Sequence, residues 1–354
     1  MIRSFHKECR PLSRRVRRPF LARAGCACVA IGVMAWSLLL GPNPAAAEWS
    51  VITGAETIYT DNVFGLSASR RLALSEDPSQ PVRFSFGQLS DVVWKPSLDL
   101  RRTMSSSLGS TELSIKGEGF LYTNHGEFNN GDYNLQVRQQ VASDTWLLLR
   151  YRYLPNLLLG PNIERQSGND LLMEERVTEH SWRVQYEKHL TERWQGMVLG
   201  RFGIRRYNDA FSERDTNYGS LGGRTQFRLV SWAMLTLDYL YERGLADGRN
   251  EPQYKDDVSY RQHFVSVGTR CSLSDRLAIE LIYVYRLKYF TSSIVGDVFN
   301  GAIDQLYQGT AQVLYNLAPQ AQLTMGYQRT QRTSNVVSRD FFNNNISLGL
   351  QYRF

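Results

Sequence analysis

The 354-residue chain has little with which to build covalent staples, metal centres or membrane helices. It holds four cysteines and five histidines. Cys9, Cys26 and Cys28 fall within the first 47 residues, so Cys271 is alone beyond them and has no intrachain partner there. A lone thiol in an alternating segment reads as packing. Past residue 47 no apolar run approaches the roughly 20 residues that a spanning helix needs. Gly-rich phosphate loops, calcium-loop patterns and zinc-ligand spacings are missing too, so no cofactor or metal is expected. The histidines beyond the first segment, His125, His180, His189 and His263, lack any Ser or Cys nucleophile context. A rim site joining His125 or His180 to Asp132 or Glu179 is the only catalytic arrangement left, and an enzyme is not expected.

Net charge is a further absence once the chain is divided. Residues 1–47 hold eight of the 41 basic residues and one of the 34 acidic ones, so 48–354 carries 33 of each. The formal +7 belongs to the leading segment and gives no reason to expect a nucleic-acid partner. That segment has a basic start, an apolar run over 24–40, the breaker Gly41-Pro42 and the small-residue run Ala45-Ala46-Ala47 before Glu48. A membrane anchor over 24–40 is the competing reading, but the A-x-A end predicts a cleaved signal peptide, 1–47, and a mature domain, 48–354.

What is present is alternation. Strands are predicted at 49–60, 92–102, 113–121, 133–141, 145–153, 177–190, 194–207, 219–229, 232–243, 258–271, 277–291, 304–315, 320–330 and 341–354. Leu113, Ile115, Gly117, Gly119 and Leu121 share one face, while Glu112, Ser114, Lys116 and Glu118 share the other. Short connections (104–109, 142–144, 191–193, 230–231, 272–276, 316–319) alternate with long ones (about 30 residues after the first strand, then 156–176, 208–218, 244–257, 292–303 and 331–340). Polar residues on one strand face with no spanning helix, and short turns on one rim with loops on the other, predict an all-β fold: a transmembrane antiparallel up-and-down β-barrel of about 14 strands. The expected place is the bacterial outer membrane with periplasmic termini, and the expected partners are outer-membrane lipid and the barrel assembly machinery. The last strand ends on Tyr352 and Phe354, an alternating aromatic ending that reads as the assembly signal.

Two sets of candidate residues follow. Trp146, Trp194 and Trp232 each open a strand just after a short turn and are expected to form the periplasmic aromatic girdle, with Tyr122, Tyr153, Tyr207, Tyr241 and Tyr289 towards the other rim. The polar phase places Arg138, Arg150, Arg183, Arg201, Arg205, Arg224, Arg228 and Arg286 on the lumen, with Arg152, Arg270, Lys288 and Arg353 beside them. Glu112, Glu118, Glu187, Asp238, Glu242 and Glu280 share that phase. A basic lumen favours anionic solutes; cross-strand pairing with these acids would remove that preference. Residues 64–90 and 156–176 are candidate constrictions or lids.

The run Tyr59-Thr60-Asp61-Asn62-Val63-Phe64, followed by Ser90-Asp91, resembles the exopolysaccharide-biosynthesis-associated outer-membrane barrels, also described as putative beta-barrel porin 2. The similarity is best over 55–140, with Thr60 and Gly65 departing from the acid and base often found there. Asp61 and Asn62 also suit a strand-to-loop exit on purely local grounds. The resemblance implies a pore for hydrophilic solutes involved in export or passage of exopolysaccharide or oligosaccharide, with polysaccharide and periplasmic export components as partners and no catalytic residues to carry over. A structural or adhesive barrel acting through its external loops is the alternative.

Overall fold

Alternation of apolar and polar residues forces a choice of face at every strand, and the chain resolves it by closing on itself. The computed structural model describes residues 48–354 apart from 70–71, 75, 82, 84–88 and 107–108. The expected signal peptide lies outside the described residues. Among them, fourteen strands run in order: β1 (Glu48–Thr60), β2 (Asp91–Ser106), β3 (Gly109–Tyr122), β4 (Asn130–Ala142), β5 (Thr145–Ile163), β6 (Leu172–His189) and β7 (Trp194–Tyr207). The second half comprises β8 (Thr216–Val230), β9 (Ala233–Ala246), β10 (Tyr260–Ser272), β11 (Leu277–Phe290), β12 (Ile303–Ala318), β13 (Ala321–Ser334) and β14 (Phe341–Arg353). Each pairs antiparallel with its sequence neighbours, and β1 pairs with β14 from Ile52↔Arg353 to Thr60↔Asn345, which closes the barrel and leaves no free edge.

The strands are 13 to 19 residues long, enough to cross a bilayer core when tilted. Connections at one rim have two to four residues, and those at the other have six to thirty. Apolar side chains such as Ile115, Val198, Leu221, Leu281, Ile346 and Leu348 lie exposed on the outer face. Charged residues such as Arg152, Arg183, Arg205 and Glu242 are buried on the inner one. This inversion of the usual soluble pattern is what a lipid-facing barrel requires. Among the described residues, no helix is long and apolar enough to cross a membrane.

Two elements depart from the sequence reading. The expected loop over 156–176 shrinks to 164–171, because β5 and β6 continue pairing past Pro155 through register shifts at Leu154/Leu157 and Leu158/Gly160. Asn156 takes φ 45° there, the left-handed conformation that lets the strand absorb a bulge. At the other rim β2 and β3 run on to Ser106 and from Gly109, narrowing the expected 104–109 turn.

Glycines on the inner wall make room for tyrosines. A Cβ at Gly203 would overlap the ring of Tyr218, and one at Gly244 would overlap that of Tyr260. Both rings lie flat against the neighbouring strand, with Tyr218 and Tyr260 almost fully buried. The Gly203→Val variant is expected to lose about 1–3 kcal/mol through overpacking. The check is heat-modifiable gel migration in a urea series, where a midpoint equal to wild type would contradict the close fit.

Candidate functional site: an inward-folded segment in an arginine-lined lumen

The long connection after β1 does not stay outside. Asn62 accepts a hydrogen bond from Gly65 N at 3.0 Å and so caps a short helix, α1 (Val63–Ser69). Asp61 accepts from Asn344 N at 2.7 Å and pins the same point to β14. The Asp-Asn pair is thus structural punctuation at the β1–β14 seam. Beyond α1 the chain enters the barrel, where Leu72 and Leu74 pack on an inner apolar patch of Leu199, Leu240, Phe264, Val284 and Leu306 from β7, β9, β10, β11 and β12. Burying two leucines stabilises this docking by about 3–6 kcal/mol before the segment's ordering entropy is counted.

Residues 76–81 and 83 then meet a wall of guanidinium groups. Arg150 and Arg183 both donate to the Glu76 carbonyl oxygen, at 2.7 Å each. Asp77 takes Arg152 at 3.1 Å and also pairs with Arg201. Ser79 Oγ accepts from Arg205 and donates to Asp77 at 2.9 Å. Gln80 accepts from Arg286 through its side chain at 2.6 Å and from Lys288 through its carbonyl at 2.9 Å. The Arg83 carbonyl takes Arg332 and Arg339 at 3.1 Å each, and its own guanidinium returns to Phe64 O at 2.6 Å. Wall carboxylates complete the network: Asp132 on Arg152 at 2.8 Å, Glu179 on Arg205 at 2.8 Å, and Glu242 on Arg201. Tyr218 lies under Arg205 with the guanidinium 4.5 Å from its ring centre, so Gly203 supports this network indirectly. Removing one partner of such a buried pair costs about 3–5 kcal/mol.

What remains of the lumen is polar and divided by character. Cavities of about 260, 220 and 210 Å³ lie beside the segment, and Glu76 lines the first two. Their charged lining consists of Lys95, Arg101, Lys116, Arg150, Arg183 and Arg224 against Glu56, Glu76, Asp99, Glu118 and Asp132. Many are paired, as in Lys95–Glu56 at 3.3 Å, Lys116–Glu118 at 3.1 Å and Arg101–Asp99 at 2.6 Å. On β12–β14 the same cavities meet only uncharged groups, among them Thr310, Gln312, Thr324, Gln328, Asn345 and Gln351. The long-loop half is filled instead by apolar clusters centred on Phe64 and Phe128, on Leu157 and Phe211, and on Phe290 and Phe299.

The eight basic positions singled out from sequence fall into two groups. Arg150, Arg183, Arg201, Arg205 and Arg286 hold the inward segment. Arg138 pairs with Glu187 at 2.9 Å, Arg224 pairs with Asp238 at 2.6 Å, and Arg228 is exposed at the short-turn rim. Trp194 and Trp232 lie exposed at that rim. Trp146 does not belong to an outer girdle: it shares the inner phase of β5 with Leu148 and Arg150, and Arg138 stacks 4.1 Å from its ring centre. Tyr122 and Tyr207 likewise turn inward into buried clusters, because the loop half of the lumen is apolar. Tyr352 and Phe354 lie exposed with ring centres 4.7 Å apart. Glu179 faces the lumen on Arg205 whereas His180, the next residue, stacks outside on Tyr153 with ring centres 4.9 Å apart, so these two do not pair; Asp132 is taken up by Arg152, and His125 lies 3.5 Å from Glu127. The segment's inward path and its Leu72–Leu74 anchor carry no periodic signal; only its length marked it.

Three long loops are tied together above the lumen. Arg214 donates to Asp256 at 2.6 Å and to Glu175 at 2.8 Å, and Glu175 accepts from Asn162 at 2.9 Å. Gln166 donates to Glu213 Oε2 at 2.5 Å. The buried Glu213 Oε1 has no donor and faces Asp256, and burial together with that neighbouring carboxylate pushes Glu213 up to about 8.

The fold, the apolar outer wall and the charged inner one define a porin-like outer-membrane β-barrel. Residues 249–354, from the loop before β10 to the end of β14, match the family model described as Putative beta-barrel porin 2. That family is the one the opening motif resembled, but the match lies in the last third of the chain and not over 55–140. The outer membrane channel DcaP of Acinetobacter baumannii superposes with a TM-score of 0.50 at 11% identity, covering 88% of this chain and 99% of that one. In-vitro folded OmpT of Vibrio cholerae gives 0.50 at 10% identity, covering 89% and 99%. At such identities the likeness is one of fold. No curated protein matches the sequence.

The Glu213–Asp256 contact gives the loops a pH dependence. Because Glu213 is raised in the folded protein, its stabilising contribution is complete below the ordinary carboxylate range and is lost as pH rises through about 8. Hydrogen exchange in 208–215 and 247–259 should therefore accelerate between pH 6 and pH 9, after correction for the intrinsic rate, and Glu213→Gln should flatten that change. A pH profile identical in wild type and variant would contradict the shared proton.

Proposed function

We propose that this barrel is an outer-membrane pore for hydrophilic solutes, narrowed by its own inward segment from Leu72 to Gln80, and that it serves the passage of an oligosaccharide or polysaccharide. The short-turn rim, where β1 starts and β14 finishes, is the periplasmic side, following the rule that such barrels keep short turns inside and long loops outside. The observation that carries the reading is the residual lumen: cavities of 210–260 Å³ bounded by amides and hydroxyls on β12–β14 and by paired charges opposite. Amide and hydroxyl groups exchange hydrogen bonds with a sugar's hydroxyls at nearly the energy water offers, so a glycan can slide without being trapped. The family match over β10–β14 covers those same strands and supports the pore. Periplasmic export components are the partners this reading calls for.

A closed barrel with a structural role is favoured by one observation, the apolar filling beneath the long loops. Conductance separates the two. In planar bilayers the wild-type protein should give small, short-lived currents, and a variant in which 72–83 is replaced by a short Gly-Ser linker should conduct several-fold more. Because the excision removes Glu76 and Asp77 and uncovers Arg150, Arg152, Arg183, Arg201, Arg205 and Arg286, the enlarged pore should be anion-selective. A correctly folded excision variant that passes no current would overturn the pore in favour of the closed barrel.

A further inference from the structure

The contacts around residues 76–77 have a feature that simple space filling does not require. Arg152 and Arg201 each carry a wall carboxylate of their own, Asp132 and Glu242 respectively, and each still directs a second edge inward to Asp77, a residue of the segment and not of the wall. Beside them Arg150 and Arg183 converge at 2.7 Å on one neutral oxygen, the Glu76 carbonyl. Four guanidinium groups from β5, β6 and β7 thus converge on two adjacent residues of the segment. Two of them, Arg150 and Arg183, also line the 260 Å³ cavity, together with Arg224. Guanidinium groups arranged this way match the fork of a carboxylate, and a charged acceptor is held about twice as strongly as a neutral carbonyl.

We propose that this cluster of Arg150, Arg152, Arg183 and Arg201 is a binding site for the carboxylate of a solute, and that Asp77 occupies it as an internal stand-in. A carboxylate entering through the cavity meets Arg150 and Arg183 first and replaces the Glu76 carbonyl as their acceptor. It then competes with Asp77 for Arg152 and Arg201. No covalent change is involved; one set of charge-assisted hydrogen bonds is exchanged for another. Loss of the Asp77 contacts leaves the segment held by Leu72 and Leu74 and by the Ser79, Gln80 and Arg83 contacts, which weakens its closure of the lumen. The solute class is a carboxylate-bearing one, and on the glycan-pore reading it is an acidic saccharide; that identification rests on the pore, whereas the site itself does not.

The test is calorimetric titration of the detergent-folded full-length barrel with trigalacturonate, using maltotriose as the neutral control. Trigalacturonate should bind and maltotriose should not. Asp77→Asn removes the competing internal carboxylate and should tighten trigalacturonate binding about tenfold, because the binding-competent fraction rises. Arg183→Gln should abolish it. Ser79→Ala, which removes the hydroxyl bonds to Asp77 and Arg205 but leaves the Asp77 carboxylate in place, should tighten binding by a smaller factor and serves if Asp77→Asn fails to fold. Equal binding of the two trisaccharides, or unchanged or weaker binding in both Asp77→Asn and Ser79→Ala, would overturn the proposal. Binding is read without any current, so trigalacturonate binding in a protein that never conducts would keep the site and reject the pore; current without carboxylate binding would do the reverse.

Discussion

A guanidinium group taken out of water must be met by acceptors, and the inner wall of this barrel presents more of them than its own strands neutralise locally. Arg150, Arg183, Arg286 and Arg332 reach backbone carbonyls or a side-chain amide of the inward segment, and Arg152, Arg201 and Arg205 divide themselves between that segment and wall carboxylates. The placement of Glu76, Asp77, Ser79, Gln80 and Arg83 follows from this demand, since a chain laid along the wall can offer a carbonyl or a polar side chain at successive steps. Leu72 and Leu74 add an apolar hold on β7 and β9–β12, while amides of β12–β14 such as Gln312, Gln328 and Asn345 face the cavity.

The remaining architecture can be read outward from that arrangement. Glycines on β7 and β9 let Tyr218 and Tyr260 lie flat, and those rings support Arg205 from beneath and beside, at 4.5 Å from ring centre to guanidinium and 3.0 Å from hydroxyl to nitrogen. The apolar clusters under the long loops exclude water from one end, so the ion pairs below them operate in a less polar surrounding than an open channel would provide. The barrel is polar and partly hollow on one side of its lumen and dry at one end. Any transport through it depends on the segment yielding.

The fold was legible because alternation with period two and the unequal lengths of alternate connections are properties of the whole chain. The strand count and the outer placement of Ile346, Leu348 and Leu350 are visible without coordinates. Errors arose where local chemistry competes with pairing. Pro155 and Asn156 read as a strand end, yet bulges carry β5 on to Ile163. Trp146 follows a turn just as Trp194 does, and only the register with Arg150 shows that it faces inward. The candidate site was half legible: the inward arginines share a phase with the polar row, but their partners sit in a connection with no periodicity, between 70 and 130 residues away in sequence for Arg150 and Arg205 alike. Nothing short of three dimensions joins Asp77 to Arg201.

The most direct measure of the central claim is a double-mutant cycle between Asp77 and Arg201, read as hydrogen-exchange protection of amides 76–81 in the folded barrel. If the guanidinium contacts hold the segment, each of Asp77→Asn and Arg201→Gln should reduce protection, and the double variant should be no worse than the more severe single one. Simple additivity of the two effects, or protection unchanged in all three variants, would contradict the account.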